Sequence, residues 1–165
     1  MVDLYLVAGA TGAGKTTYAR RLAAERGAVR FSIDEWMTNL FWMDSPAPIQ
    51  FEWTMERIDR CERQIREQVT MLATVGISSI LDLGFTRLDH RAKFATFAHF
   101  NGMNPVLMLL DPPTELRWAR VEQRNADRGE TFRMEVDRSM FDFMEDQWQA
   151  PDKAELAMLN AEVIQ

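Results

Sequence analysis

Three glycines, a lysine and a threonine stand close together near the start of the chain, in the stretch GATGAGKT at residues 9–16. Their spacing matches the pattern G-x-x-x-x-G-K-[ST], in which glycines let the backbone wrap closely so that its N–H groups face one anion. The lysine adds a positive charge towards the β- and γ-phosphates, and the hydroxyl that follows it can ligate Mg²⁺. The pattern therefore predicts a nucleoside triphosphate site formed by Gly9, Ala10, Thr11, Gly12, Ala13, Gly14, Lys15, Thr16 and Thr17.

The residues on either side of this stretch have the patterns that such a loop requires. Residues 2–8 are apolar apart from Asp3, which predicts a buried strand. After Lys15 the apolar residues Tyr18 and Leu22 lie on one side of a predicted helix, and arginines lie towards the other. A glycine-rich turn that binds nothing is the alternative, but the order strand, turn, helix favours the phosphate site.

An acidic residue and two arginines follow the third apolar stretch. Asp82 closes that stretch, as the acid of a Walker-B strand does, and is predicted to hold Mg²⁺ or to order the site. A simple turn residue is the alternative. Arg87 and Arg91 come next and could clamp an anionic part of a second substrate, a question that the sequence leaves open. His90 and His99 stand apart from other candidate ligands, which favours surface or helix-packing roles.

Four arginines lie further along the chain at spacings of three, four and four, which places them on one stripe of a helix: Arg117, Arg120, Arg124 and Arg128. Neighbouring like charges repel unless an anion lies opposite, and a triphosphate is the obvious candidate. The alternative is a solvated face paired with Glu115, Glu122 and Asp127. We favour phosphate binding for Arg124 and the solvated face for Arg117.

The remaining pattern predicts strands alternating with helices. Such an order indicates a parallel sheet of four or five strands with helices on both faces. The residues at the carboxyl ends of its strands then share one edge, where ligands bind in such sheets. These residues are Gly9, Asp34, Asp82 and Asp111. The strands are predicted at 2–8, 28–33, 77–83, 105–110 and 160–164. The helices are predicted after Lys15 and at 51–75, 88–100, 114–127 and 135–148. Between residues 35 and 50 we expect a short helix and then a loop broken by two prolines.

The length and composition of the chain restrict the classes of protein to which it can belong. A chain of 165 residues is expected to form a single domain, with 47% hydrophobic residues and no apolar run long enough for a membrane span. The single Cys61 excludes an internal disulfide and is expected to be a small core residue of a helix. We found no signal peptide, and these features favour the cytoplasm. A net charge of −6 argues against a protein that coats nucleic acid.

The C-terminal half adds a resemblance to a known group of enzymes. The stretch RVEQRNADRG at residues 120–129, followed by VDRSMF at 136–141, resembles the lid region of the polynucleotide kinases. Asp34 matches the position of their general base, which the chloramphenicol phosphotransferases and the zeta toxins share. The resemblance runs from residue 4 to about residue 145. It identifies the chain as similar to the P-loop kinases of this group, which are often described as AAA-family ATPases.

The resemblance implies a fold and a set of roles. The fold is a three-layer P-loop NTPase fold in one domain, 1–165, with an arginine-rich lid at about 112–134. Lys15 and Arg124 would act in catalysis together with Asp34 as the base, and Arg120 and Arg124 would hold the nucleotide. The cofactors would be ATP and Mg²⁺, with Thr16 and Asp82 on the metal. For Asp34 the alternative is N-capping of the next helix, a role that Ser32 would also serve.

Two departures from the polynucleotide kinases disfavour a polynucleotide substrate. The arginine that those enzymes have three residues after the base is Met37 here. The aromatic segment at 36–53, which contains two prolines, has no counterpart that we can place; its apolar residues are expected in the core, although their position beside Asp34 also fits an apolar acceptor site.

Two classes of function follow. The first is an ATP-dependent kinase that transfers the γ-phosphate to a hydroxyl group of an unidentified small molecule or of a nucleic-acid 5′ end, the latter not favoured. The second is an ATP-binding or ATPase protein of regulatory or toxin-like type, which has no acceptor. A carboxylate at the position of Asp34 favours the first, because a switch or hydrolase does not need it there. No membrane partner is expected, and the sequence leaves the oligomeric state open.

Overall fold

A computed structural model describes residues 1–129 and 135–165. In chain order the elements are strand β1 (Asp3–Ala8), helix α1 (Lys15–Arg26), β2 (Val29–Ser32), α2 (Ile33–Phe41), a 3-10 turn (Trp42–Asp44), α3 (Phe51–Thr74), β3 (Ser79–Asp82), α4 (Leu88–Phe100), β4 (Asn104–Leu110), α5 (Thr114–Asp127), α6 (Arg138–Gln147), α7 (Lys153–Met158) and β5 (Glu162–Ile164).

The five strands form one parallel sheet in the order β2-β3-β1-β4-β5. Alternate residues of β1 point to opposite faces, and both faces are buried. Leu4 and Leu6 pack in one core with residues of α3 and α4, whereas Tyr5 and Val7 pack in a second core with Leu22 of α1. This three-layer arrangement confirms the predicted α/β fold, including the short last strand.

Helix α3 owes its position to one apolar stripe. Cys61, Ile65 and Val69 recur at intervals of four and are buried against the sheet, while most charged residues of the helix are at least partly exposed; the exception is Glu62, which is buried. The chain turns at Gly76, which has a φ of 77°. Cys61 is a core residue, as predicted. No helix in the described part of the chain is long and apolar enough to cross a membrane.

The C-terminal helices differ from the prediction because side-chain caps set where they begin. The helix predicted at 135–148 begins at Arg138, since the Asp137 side chain accepts a hydrogen bond from the Met140 N–H at 2.8 Å. Helix α7 was missed altogether. Its signal is a capping pattern in which Asp152 accepts from the Glu155 N–H, also at 2.8 Å.

The apolar segment between α2 and α3 is only partly in the core. Trp36, Met37 and Phe41 pack against the core beneath α2. A second set of large side chains is exposed, so the expectation that the methionine and aromatic residues here are core is wrong for Trp42, Met43, Phe51 and Met55; Leu40 and Ile49 are exposed as well.

Arg91 is fully buried and its guanidinium is occupied by protein partners, so the anion-clamp role considered for it is wrong. The side chain is fully buried beneath α7, where it forms a two-pronged ion pair with Glu155, with Nη2 3.0 Å from Oε2. It also donates to the Phe85 carbonyl at 3.0 Å. Arg87, by contrast, is exposed and paired with Asp89.

We expect Arg91→Met to lower the free energy of unfolding by about 3–5 kcal/mol, because it leaves the buried Glu155 carboxylate without its partner. Urea unfolding followed by circular dichroism measures this. The control is Arg63→Met, which breaks an exposed pair with Asp59 on α3 and should change the stability by less than about 1 kcal/mol. A folded Arg91 variant of unchanged stability would contradict the buried role.

Candidate active site

The loop between β1 and α1 is pressed against the start of α5, and its glycines make this possible. At Gly12, where φ is 78°, an added Cβ would lie 2.4 Å from the carbonyl oxygen of Arg117. At Gly9 it would lie 2.7 Å from the carbonyl oxygen of Leu110. Gly14 has a φ of 92°, in the left-handed region that favours glycine, and precedes the first residue of α1. The glycines thus serve both close approach and turn geometry.

Lys15 lies over this loop with its ammonium among carbonyl oxygens and acids. Nζ donates to the carbonyl of Gly9 at 2.7 Å and to that of Ala10 at 3.2 Å. Burial lowers the pKa of Lys15, and the carboxylates of Asp82 and Asp34 oppose that effect. The positive charge is therefore held between the loop and two acidic side chains.

Asp82 ends β3 beside Thr16, so the structure brings together the two residues predicted to bind the metal. The carboxylate is buried, which raises its pKa, while a hydrogen bond with the Thr16 hydroxyl and the charges of Arg30 and Lys15 act in the opposite direction. A hydroxyl and a carboxylate are oxygen donors of the kind that Mg²⁺ prefers.

Few protein ligands are needed at such a site. The described residues contain no cluster of three or more acidic, histidine or cysteine side chains that could hold a metal. Mg²⁺ at nucleotide sites keeps several waters and takes one or two protein oxygens together with substrate phosphates. The pair of Thr16 and Asp82 fits that mode of binding.

Arg30 is a site residue that the sequence analysis missed. From β2 it donates to Asp82 at 3.2 Å and to Glu35 at the start of α2. Glu35 also accepts from Arg20 of α1 at 3.0 Å; burial alone would raise the pKa of Glu35, but the bonds from both arginines lower it. The available signal was a charged residue inside an otherwise apolar strand.

Asp34 occupies the second position of α2 but does not cap that helix. The Ser32 side chain does so, accepting a hydrogen bond from the Glu35 N–H at 3.4 Å. The Asp34 carboxylate is close enough to Lys15 and Arg124 to raise the pKa of each against the effect of burial. The capping alternative is therefore wrong, and the carboxylate belongs to the charged centre of the site.

The arginines of the predicted stripe on α5 differ in how deeply their side chains are buried. Arg120 donates to the carbonyl of Ala13 at 3.1 Å, and Arg124 is half-buried, with an Nε that has no hydrogen-bond partner among the described residues. Burial lowers the pKa of Arg124, and Asp34 opposes this. Two cations of α5 thus face the loop.

Arg117 was predicted to lie on a solvated face, and that prediction is wrong. It is buried, donates to the carbonyl of Thr11 at 3.1 Å and pairs with Glu145 of α6. Arg128 follows the end of α5 with a left-handed φ of 46° and so leaves the helical stripe. Of the predicted lid at about 112–134, residues 130–134 lie outside the described residues, and closure of the lid stays a prediction.

These side chains surround one cavity of about 810 Å³. Of the predicted nucleotide-binding residues, Gly9 and Ala10 contribute the carbonyls that hold Lys15 and do not line the cavity. The others line it together with both acids: Thr11, Gly12, Ala13, Gly14, Lys15, Thr16, Thr17, Asp34, Asp82, Arg120 and Arg124. Its volume suits a nucleotide-sized ligand.

We expect Gly12→Ala to destabilise the protein by about 2–5 kcal/mol, because left-handed strain adds to a clash with the backbone of Arg117. The control is Gly27→Ala at the end of α1, where φ is also positive but no atom lies within 4 Å, so about 1–2 kcal/mol of strain alone is expected. Thermal unfolding of both variants measures the difference. Equal losses would contradict the close contact between loop and α5.

Comparison with solved structures finds the same fold in several proteins of low sequence identity. A sugar kinase from Janibacter sp. HTCC2649 is 19% identical and has a TM-score of 0.66, with 99% of this chain and 85% of that chain covered. Chaetomium thermophilum Kti12 in complex with ADP-AlF3 is 16% identical, also with a TM-score of 0.66, over 98% of this chain and 88% of that one.

A third similar structure is the Pnkp1/Rnl/Hen1 RNA repair complex, at 22% identity and a TM-score of 0.67. The match covers 88% of this chain and 43% of that chain. At these identities the likeness shows the fold alone, which is the kinase-like P-loop fold predicted from the sequence.

The family follows from a direct sequence comparison. No curated protein sequence matches the chain. Residues 4–151, however, match the family described as the AAA domain. The glycine loop, the lysine and the acidic end of β3 all lie within the matched range. This chain therefore belongs to the AAA domain family, with a P-loop fold of the nucleotide-binding, kinase-like type.

Proposed function

We propose that this protein is an ATP-dependent phosphotransferase that moves the γ-phosphate of ATP onto a hydroxyl group of a second substrate. The observation that carries the proposal is the position of Asp34. Its carboxylate lines the nucleotide cavity with Lys15 and Arg124, and the capping of α2 is left to Ser32. A carboxylate among the cations of a phosphate site suits a base for an incoming hydroxyl.

Each side chain of the site then has one task. The loop amides and Lys15 hold the phosphates, with Arg120 and Arg124 facing them from α5. Mg²⁺, held by Thr16 and Asp82, would neutralise charge on the phosphate oxygens. Asp34 orients the acceptor hydroxyl for attack on the γ-phosphorus.

The proposed step balances in atoms and charge. The acceptor oxygen forms a bond to the γ-phosphorus, and the bond from that phosphorus to the β–γ bridging oxygen breaks. ADP leaves with the electron pair, and the hydroxyl proton passes to the Asp34 carboxylate. Arg124 stabilises the charge that the transferring group carries. Positioning and charge neutralisation account for most of the catalysis in reactions of this kind.

Two of the structural neighbours are consistent with this proposal at the level of the fold. One is a sugar kinase, and another is an RNA repair complex. A nucleotide-dependent regulator or ATPase without an acceptor is the alternative. The phosphotransferase moves the γ-phosphate to an acceptor in a step that needs Asp34, whereas the alternative transfers no phosphate to an acceptor, so transfer assays with the variants below separate them.

We expect Lys15→Ala to weaken ATP binding at least about tenfold, because the charge nearest the phosphates is lost. Calorimetry with ATP and Mg²⁺ measures this, with Lys153→Ala on the exposed start of α7 as the control. If the wild-type protein itself binds no ATP, the proposal fails at its first step.

We expect Asp34→Asn to leave ATP affinity almost unchanged and to slow phosphoryl transfer by roughly 10²–10⁴, the usual worth of a positioned base. Transfer of γ-labelled phosphate to 5′-hydroxyl oligonucleotides, nucleosides, sugars and aminoglycosides measures the second effect. Asp44→Asn, an exposed acid in the 3-10 turn, is the control. A large loss of ATP affinity in Asp34→Asn would move this residue into the metal shell.

A further inference from the structure

A second cavity, of about 640 Å³, opens beside the first between α3, the end of β3 and the start of α4. The two cavities share Ile33 and Gly84 in their walls. Asp34 is the next residue after Ile33 and lines the first cavity. A group that a molecule in the second cavity extends past Ile33 and Gly84 therefore enters the first cavity on the side of Asp34.

The lining of the second cavity combines apolar and polar side chains. The apolar side chains are those of Ile33, Met55, Ile58, Leu83 and Phe85. The polar side chains come from α3, the loop after β3 and the start of α4, and together are called the polar side. A surface of this kind suits a compact molecule with an apolar face and several hydrogen-bonding groups.

The cations of the polar side are already paired with acids. Lys93 donates to the buried Glu62 at 2.7 Å, and His90 Nε2 lies 2.6 Å from the other oxygen of that carboxylate. Burial alone would raise the pKa of Glu62, but these two contacts lower it, so the carboxylate is charged. Arg87 pairs with Asp89 at 3.2 Å. A third acid of the lining, Asp59, pairs with Arg63 outside it.

This arrangement is unfavourable for an anionic ligand. Three carboxylates line the cavity against two permanent cations, and a phosphate entering it would compete with Glu62 for Lys93. Separating a buried carboxylate from its partners is costly. Hydroxyl groups meet no such obstacle, because they donate to the carboxylates and accept from the remaining protons of the Lys93 ammonium.

We propose that the second cavity binds an uncharged, hydroxyl-rich small molecule, of the size of a sugar or nucleoside, and excludes phosphorylated compounds. Its role as the acceptor site rests on the proposed phosphotransferase function. The binding preference itself does not, and is measured without turnover.

Three methionines can serve as NMR probes of the second cavity, the nucleotide cavity and a control surface on α3. Met55 lines the second cavity, Met144 lines the nucleotide cavity, and Met71 is exposed on α3 and lines neither. In protein labelled with [¹³C-methyl]methionine and saturated with Mg²⁺ and a non-hydrolysable ATP analogue, each resonance can be followed during titration. The probes are glucose and uridine, each compared with glucose 1-phosphate and uridine 3′-monophosphate respectively.

We expect at least one uncharged probe to shift the Met55 resonance while Met71 stays constant, and to bind at least about tenfold more tightly than its phosphorylated counterpart. The proposal is overturned if the phosphorylated probes bind as well, or if neither uncharged probe shifts Met55 at about 20 mM, a concentration that detects even millimolar affinity. A shift of Met55 without label transfer in any assay would refute the phosphotransferase function and leave this binding site standing.

A charge placed in the cavity tests the reason for the preference. Met55→Arg adds a third permanent cation to the lining, one turn of α3 from Asp59, whose carboxylate is already paired with Arg63. It should tighten binding of the phosphorylated probes at least about threefold, measured by calorimetry. Met71→Arg makes the same substitution on the far part of the same helix and should change nothing. If Met55→Arg leaves the preference for uncharged probes unaltered, paired charges are not its cause.

Discussion

The guanidinium of Arg30 is the contact on which the geometry of the active site depends. It joins Asp82 at the end of one strand to Glu35 at the start of α2, and Glu35 is held in turn by Arg20 of α1. These bonds fix three parts of the site relative to one another: helix α1 after the phosphate loop, Asp82 beside Thr16, and helix α2, which carries Asp34. Because Asp82 is buried and Glu35 is partly buried, the planar guanidinium of arginine, which can donate to both carboxylates at once, suits this place better than a lysine would.

A second constraint fixes the loop against α5. Gly12 lets the backbone lie directly on the carbonyl of Arg117, and the Arg117 side chain returns to the carbonyl of Thr11 while pairing with Glu145. The two cations that face the cavity, Arg120 and Arg124, stand one and two turns further along the same helix. Packing at the start of α5 therefore decides where these charges point.

The sequence predicted the parts of the site that leave a local pattern. The loop, the alternation of strands and helices, Asp82 and the position of Asp34 could all be found, because spacing and apolar runs encode them. The roles of Arg91 and Arg117 could not, since their acidic partners lie 64 and 28 residues away along the chain. Long-range pairing of charges produces no periodicity in either segment. Arg30 was missed although it is a charged residue in an apolar strand, because its partner Asp82 lies 52 residues away. Helix α7 was missed because its cap was overlooked.

The burial of Cys61 gives the protein an internal reporter of its own opening motions. It is the one cysteine in the sequence and lies in the middle of α3, in contact with the core. Burial raises the pKa of its thiol, so little of the reactive thiolate is present at neutral pH while the helix is in place. Modification by a thiol reagent therefore requires α3 to leave the sheet. The rate of labelling then measures how often α3, which lines the second cavity, separates from the sheet, and the natural cysteine makes an engineered probe unnecessary.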